Sequence, residues 1–257
     1  MTQNERREYL IKYLLKERNQ YANMEVPATE DEKKQLLRAL FNVRMPKEAS
    51  EKFIRIQDEY LIEENKEKGI TDYKDLMPIK NGIYLWQGDI SSLKVGAIVN
   101  AANSQMLGCF RPNHNCIDNC IHTFAGIQLR KACDDIMKRQ GHEEETGKAK
   151  ITPAYNLPAD YVIHTVGPIV QDRLTKRHEE LLASCYKSSL KLAEENGVKS
   201  IAFCCISTGV FMFPNRRAAE IAIDTVRKHK KNTGSEIEVI FNVFKEQVLQ
   251  IYRELLG

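Results

Sequence analysis

The 257-residue chain has no apolar run approaching the ~18 consecutive residues that a membrane-spanning helix needs, so no spanning segment is expected. It also has little surplus charge: 38 Lys and Arg against 35 Asp and Glu leave +3. A balance so near neutral gives no broad basic field for a nucleic-acid backbone, and no aromatic–basic stripe stands in for one. Neither a membrane nor a nucleic acid is an expected partner. No apolar stretch with a cleavage site follows the opening Met-Thr-Gln-Asn-Glu-Arg-Arg, so no secretory signal is read there. Internal repeats and low-complexity tracts are lacking, which excludes repeat arrays. A disulfide framework is lacking too. The seven cysteines, at 109, 116, 120, 133, 185, 204 and 205, are odd in number and irregular in spacing. In a reducing cytoplasm they are expected as thiols or metal ligands. Cys133, Cys185, Cys204 and Cys205 fall in apolar patterns and read as small core residues.

What is present divides in two. The length suits one domain of about 150–200 residues plus an appendage. Residues 1–75 read as a charged helical extension and residues 76–257 as an α/β domain. Tyr9, Leu10, Tyr13 and Leu14 form one helical stripe. Thr29-Glu30-Asp31-Glu32 has the capping-box pattern, and Leu36, Leu37, Leu40 and Phe41 follow it. Pro46 is expected to end that helix and begin a third, with Phe53, Ile56, Tyr60 and Leu61 on one face. These helices carry no catalytic constellation and are expected to pack on the main domain or on each other.

From residue 79 onward strands alternate with helices, the mark of an α/β layered domain. Strands are expected at 82–86, 97–99, 148–153, 161–165, 201–206 and 236–244. Helices are expected at 119–140, 178–195, 216–229 and 247–256. Ligands of open α/β sheets bind outside the carboxyl ends of strands. Four segments follow strand ends: Gly88-Asp89-Ile90, Asn100-Ala101-Ala102-Asn103, the cysteine-rich stretch after it, and residues 207–213. Each has an ordinary alternative. Asp89 reads equally as a turn or cap residue, and Asn100 and Asn103 as satisfiers of loop backbone. Ser207-Thr208-Gly209 reads as a plain turn, or as a phosphate cradle of small residues with free N–H groups ahead of a helix that starts at Pro214.

The cysteine-rich stretch is the least ordinary. Cys109, His114 and Cys116 are spaced Cys-x4-His-x-Cys, with Cys120 and His122 close behind. Soft thiolates and an imidazole at that density are a donor set for Zn²⁺. Three ligands leave a fourth position open, as in catalytic sites. If Cys120 or His122 completes the tetrahedron, the metal is structural. Glu143, Glu144 and Glu145 read as a solvated loop run.

Taken in order, Gly88-Asp89-Ile90-Ser91, Val99-Asn100-Ala101-Ala102-Asn103, Ile163-His164-Thr165-Val166-Gly167-Pro168 and the run Ile206-Ser207-Thr208-Gly209-Val210-Phe211-Met212-Phe213-Pro214 resemble the macrodomain family, from roughly Asn81 to the C-terminus. The resemblance implies a three-layer α/β/α fold with a mixed central sheet behind the N-terminal extension. It implies a cleft for ADP-ribose and removal of mono-ADP-ribose from protein side chains, by cleavage at the distal ribose C1″. A non-catalytic reader of ADP-ribose with a structural zinc is the alternative. Family hydrolases carry glycines where Cys109 and Cys116 stand, and that departure resembles the zinc-containing bacterial subgroup, which also has a helical extension. By the same resemblance Cys109, His114 and Cys116 would hold one Zn²⁺ near the distal ribose. Asp89 and Ile90 would hold adenine, with Phe244 a weaker candidate for its face. Asn103 would orient the distal ribose, and Asp118 would position a water or accept a proton, its alternative being a helix cap. Residues Cys116, Ile117, Asp118 and Asn119, with Ser207, Thr208, Gly209, Val210 and Phe211, would wrap the pyrophosphate and ribose. Val210 and Met212 would tune the fit there. A lipoyl-carrier protein modified by a sirtuin-type transferase is an expectation of that subgroup alone.

Overall fold

The computed structural model describes residues 1–21, 24–80 and 82–257; Asn81, where the resembling span begins, lies outside them. Three helices lead: α1 (Gln3–Lys16), α2 (Glu30–Val43) and α3 (Glu51–Lys68). Each starts on a hydroxyl that accepts an otherwise orphaned N–H: Thr2 from Glu5, Thr29 from Glu32, Ser50 from Phe53. The full reciprocal capping box is at Thr2, where the Glu5 carboxylate also takes the Thr2 N–H at 2.8 Å. At Thr29 the Glu32 carboxylate accepts the cap hydroxyl instead. The third helix starts at Glu51 rather than at Pro46, because Ser50 offers a cap that the earlier proline cannot.

The remaining elements are β1 (Thr71–Asp72), β2 (Ile83–Gln87), β3 (Leu93–Lys94), β4 (Ala97–Ala102), α4 (Ile117–Ala125), α5 (Ile127–Gln140), β5 (Ala149–Pro153), β6 (Tyr161–Val166), α6 (Lys176–Glu195), β7 (Ser200–Phe203), α7 (Asn215–Thr233), β8 (Glu238–Val243) and α8 (Glu246–Leu256). The single helix expected over 119–140 is two. Gly126 breaks it at φ +98°, and a Cβ there would stand 2.7 Å from the Gln57 amide of α3.

Six strands form the central sheet in the order β2-β8-β7-β4-β6-β5. All neighbours run parallel except β5, which pairs antiparallel with β6 at the edge, so the sheet is mixed as expected. β7 is buried along its whole length and β4 nearly so, which explains their continuous apolar runs. α6, α7 and α8 pack side by side on one face, while α4 and α5 pack together on the other. The extension has its own apolar cluster, including Leu10, Leu14, Leu37, Phe41, Phe53 and Tyr60, which takes in Ile127 of α5. Through α2 and α3 it lies against α4. No helix among the described residues is long and apolar enough to cross a membrane.

Candidate functional site

Five parallel strands put their carboxyl ends on one edge of the sheet. Gly88-Asp89 follows β2, Asn103 follows β4, Gly167 follows β6, the 204–214 segment follows β7 and Phe244 follows β8. The topology therefore gathers the predicted segments at the edge where ligands of such sheets bind.

Asp89 caps a short 3₁₀ turn, Ile90–Ser92. Its Oδ1 accepts the Ser91 N–H at 2.9 Å and the Ser91 hydroxyl at 2.7 Å, and its Oδ2 lies 2.8 Å from Lys68 Nζ at the end of α3. Burial pushes this carboxyl up, but Lys68 and Ser91 outweigh it and hold it below the usual range. The Lys68 ammonium also sits 3.5 Å from the centroid of the Phe124 ring. Phe244 is 75% exposed.

The metal-type loop leads into α4. Cys109 Sγ lies 3.6 Å from His114 Nδ1, and the ligand atoms of Cys109, His114 and Cys116 all fall within 4.8 Å of one another. Tetrahedral Zn²⁺ with ~2.3 Å Zn–S and ~2.0 Å Zn–N bonds separates a thiolate from an imidazole nitrogen by roughly 3.5 Å, so the spacing fits such an ion. Burial, with Cys109 alongside, pushes the Cys116 thiol up to about 12 against the opposing Asn119 N–H. Two adjacent thiols resist ionising together unless a cation joins them, and a divalent metal is the natural remedy. Cys116 also caps α4, its Sγ accepting the Asn119 N–H at 3.4 Å, so the helix starts at Ile117 and the cap is not Asp118. Neither Cys120 nor His122 joins the group. Cys120 Sγ faces Arg38 of α2 at 3.6 Å, and His122 turns its ring into the core, where only a glycine at 108 leaves room for it.

A second group of donors, His122, Cys133 and His164, lies beneath the loop, also with ligand atoms within 4.8 Å and close enough to hold a metal ion. All three residues are buried. Asn100 Nδ2 donates to His164 Nδ1 at 3.2 Å, which leaves the His164 proton on Nε2, facing Thr152 Oγ1 at 3.0 Å and Cys133 Sγ at 3.6 Å. The same Asn100 amide donates to Asp118 Oδ1 at 2.8 Å. Burial pushes Asp118 up to about 6, with Asn100 and Arg130 opposing, and its carboxylate lies 3.6 Å from His122 Nε2. Burial also drives His164 down to about 4 and His122 well below its ordinary value, so both rings are neutral.

Asn103 folds its own loop: its Nδ2 donates to Gly108 O at 3.1 Å and its Oδ1 accepts the Gln105 N–H at 3.1 Å. Glu143, Glu144 and Glu145 are not a uniformly solvated run. Glu144 is buried on Lys150 at 3.0 Å, and Glu143 accepts the Ser104 hydroxyl at 2.7 Å beside Asn103. The acidic run is used to tie this loop to the β4 exit.

In the second loop Ser207 and Met212 hold positive φ, and Phe213 N–H closes the turn on Ser207 O at 3.0 Å. Thr208 is tied to Cys205 O through its N–H and hydroxyl. Among the described residues the N–H groups of Gly209, Val210 and Phe211 make no hydrogen bond, and a Cβ at Gly209 would meet nothing. Free N–H groups around open space suit an anion. Val210 and Met212 are 75% and 68% exposed at the rim.

The sequence reading missed three polar residues that hold this edge: Arg38, Asn42 and Lys68. Asn100 falls in one of the segments expected at a strand end, with loop satisfaction as its alternative; it lies inside β4, fully buried. Arg38 and Asn42 are four apart and share a helix face, a signal hidden by the resemblance of that face to an ordinary solvated one.

The Macro domain family model matches residues 99–222. The chain is 58% identical over 261 residues to a protein-ADP-ribose hydrolase of Treponema medium, covering 100% of each chain. It is 50% identical to a protein-ADP-ribose hydrolase of Staphylococcus aureus (strain MSSA476), covering 97% of this chain and 94% of the relative. Among solved structures, the Trypanosoma brucei macrodomain in complex with ADP-ribose superposes with a TM-score of 0.67 at 29% identity, covering 86% of this chain and 95% of that one.

Proposed function

The chain belongs to the macrodomain family, and from that premise we propose that it is a protein-ADP-ribose hydrolase acting on mono-ADP-ribosylated protein, with a Zn²⁺ ion on Cys109, His114 and Cys116. The observation that carries the reading is a juxtaposition: a half-exposed Cys₂His group opens the helix α4 at the same sheet edge as a loop with three free N–H groups. Residues 1–75 are the extension and 76–257 the catalytic domain. Seven free thiols suit a reducing compartment, which we take to be the cytoplasm.

In this reading Asp89 accepts the adenine amine while Lys68 and Ser91 fix its carboxylate, and Ile90 borders the base. Gly209, Val210 and Phe211, between Ser207 and Thr208 and the rim, give their N–H groups to the pyrophosphate. The start of α4, from Cys116 through Ile117, Asp118 and Asn119, turns its positive end toward the same anion. Asn103 orients the distal ribose from a loop that its own amide stiffens. Asp118, with 9% of its side chain still exposed, is the carboxylate nearest in sequence to the Cys/His loop and takes up a proton there. A bound divalent ion would supply Lewis acidity and a fixed positive charge beside the ribose.

The test is release of ADP-ribose from a mono-ADP-ribosylated protein, with and without prior chelation, alongside ADP-ribose binding by calorimetry. A lipoyl-carrier protein is the first carrier to assay, since the subgroup resemblance points there. Turnover that disappears on chelation and returns with Zn²⁺, at nearly unchanged ADP-ribose affinity, is expected. No turnover on any modified carrier would sink the reading.

A further inference from the structure

The residue just before the candidate ligand His114 is in a costly conformation. Asn113 has φ +54°, the left-handed region, which asks for support from its surroundings. That support comes from the extension. The Asn113 N–H donates to Asn42 Oδ1 of α2 at 2.9 Å, and one residue on, His114 O accepts Arg38 Nη2 at 2.9 Å. Arg38 and Asn42, one turn apart on α2, thus grip the Asn113-His114 pair at its two ends.

Both side chains then continue into α4. Asn42 Nδ2 donates to Thr123 Oγ1 at 2.8 Å, so this buried amide uses its oxygen on the loop and its nitrogen on the helix. Arg38 Nη2 reaches Asn119 Oδ1 at 3.2 Å. Asn119 is fully buried, and its Nδ2 donates to Cys109 O at 3.2 Å and Arg111 O at 3.0 Å. One arginine of the extension therefore holds the His114 backbone directly and, through Asn119 in the first turn of α4, the Cys109 backbone.

We propose that Arg38 and Asn42 are positioning residues of the metal site, and that the extension's task is to hold the Cys109, His114 and Cys116 donors in register. The inference rests on the metal reading above. Partners that orient ligands typically change metal affinity about 10- to 100-fold when removed. A buried contact that only docked the extension would not favour the ligand loop. Asn65 of α3 is such a contact: it donates to Asn156 O at 2.7 Å, away from the loop.

The experiment measures Zn²⁺ affinity of the full chain by competition with a chromophoric chelator, and the visible spectrum of the Co²⁺-loaded chain. Asn42→Ala and Arg38→Ala are each expected to weaken Zn²⁺ about 10- to 100-fold and to shift the Co²⁺ bands. Asn65→Ala is expected to stay within about twofold of wild type, whatever its melting temperature. Should Asn42→Ala not fold, Arg38→Ala, at a partly exposed site, carries the test. Unchanged affinity and spectrum in the folded variants overturn the proposal, as does an equal loss in Asn65→Ala. Wild type that takes up no metal, or Cys116→Ala that takes it up as well as wild type, removes the metal reading itself and this inference with it.

Discussion

Two groups of cysteine and histidine lie close together here, built from the same donor types at similar spacing. Cys109, His114 and Cys116 sit half-exposed on a loop, whereas His122, Cys133 and His164 are sealed under it. What separates them is access from solvent, together with the way His164 is employed. In the loop group the thiols have only each other and the imidazole, apart from the N–H that Cys116 caps. In the core group His164 is held by Asn100 on one nitrogen and faces Thr152 on the other, which spends its lone pair internally, while His122 keeps both ring nitrogens buried without a hydrogen-bond partner. Proximity of donors makes a candidate, and free lone pairs with access from solvent make a metal site.

The comparison breaks most visibly at Cys116. Cys116→Ala is expected to remove stoichiometric Zn²⁺ and to lower turnover by at least about 100-fold, since a two-ligand remnant holds zinc poorly. Cys133→Ala is expected to keep one Zn²⁺ per chain. Metal analysis of the two purified variants decides it, and the reverse pattern would place the ion in the core.

That first contrast was half legible in the sequence. The Cys-x4-His-x-Cys spacing pointed to three residues whose donor atoms the fold brings within 4.8 Å of one another, because such loops are local. Strand positions were legible for a similar reason: buried parallel strands such as β7 read as continuous apolar runs. The core group was not legible, because His122, Cys133 and His164 come from α4, α5 and β6 and meet only through packing. The break at Gly126 was hidden by apolar residues that keep helical spacing across it, from Ile121 to Met137. Arg38 and Asn42 were hidden because a polar helix face looks the same whether water or a ligand loop lies against it.

The next largest effect is on stability. His164→Ala is expected to cost about 2–4 kcal/mol, because it opens space at a fully buried position and strands the Asn100 and Thr152 partners. Urea unfolding of the metal-loaded chains measures it, and Zn²⁺ content should be unchanged. A loss of metal together with stability would erase the distinction between the two groups.

Acid gives a graded version of the same test. His164 binds its proton near 4 in the fold but near 6.5 when unfolded. Between those values the unfolded chain holds the extra proton, so stability falls as pH drops from 6.5 towards 4 and levels off below. For a shift of that size the loss reaches about 3 kcal/mol. His122 acts in the same direction. Asp118, raised to about 6, acts in the opposite one, because the folded state then holds the extra proton between about 3.8 and 6. The difference between wild type and His164→Ala across this window isolates His164. A difference that does not change with pH would mean that the folded ring is no harder to protonate than the unfolded one.

The smallest expected effect belongs to the cysteine between the two groups. Cys120 is four residues from the candidate ligand Cys116 and two from a core histidine, yet it belongs to neither group. Its thiol rests against Arg38 at 3.6 Å, a weak contact, and burial pushes it above its ordinary value, so it stays protonated. Cys120→Ser should therefore leave Zn²⁺ affinity within about twofold and cost under about 1 kcal/mol, since the hydroxyl can accept the same Arg38 donor. Zinc competition and urea unfolding check both. A tenfold loss of affinity would mean that Cys120 closes the tetrahedron in the loaded protein. The fourth position would then be filled by protein, and the loop group would differ from the core group in access alone.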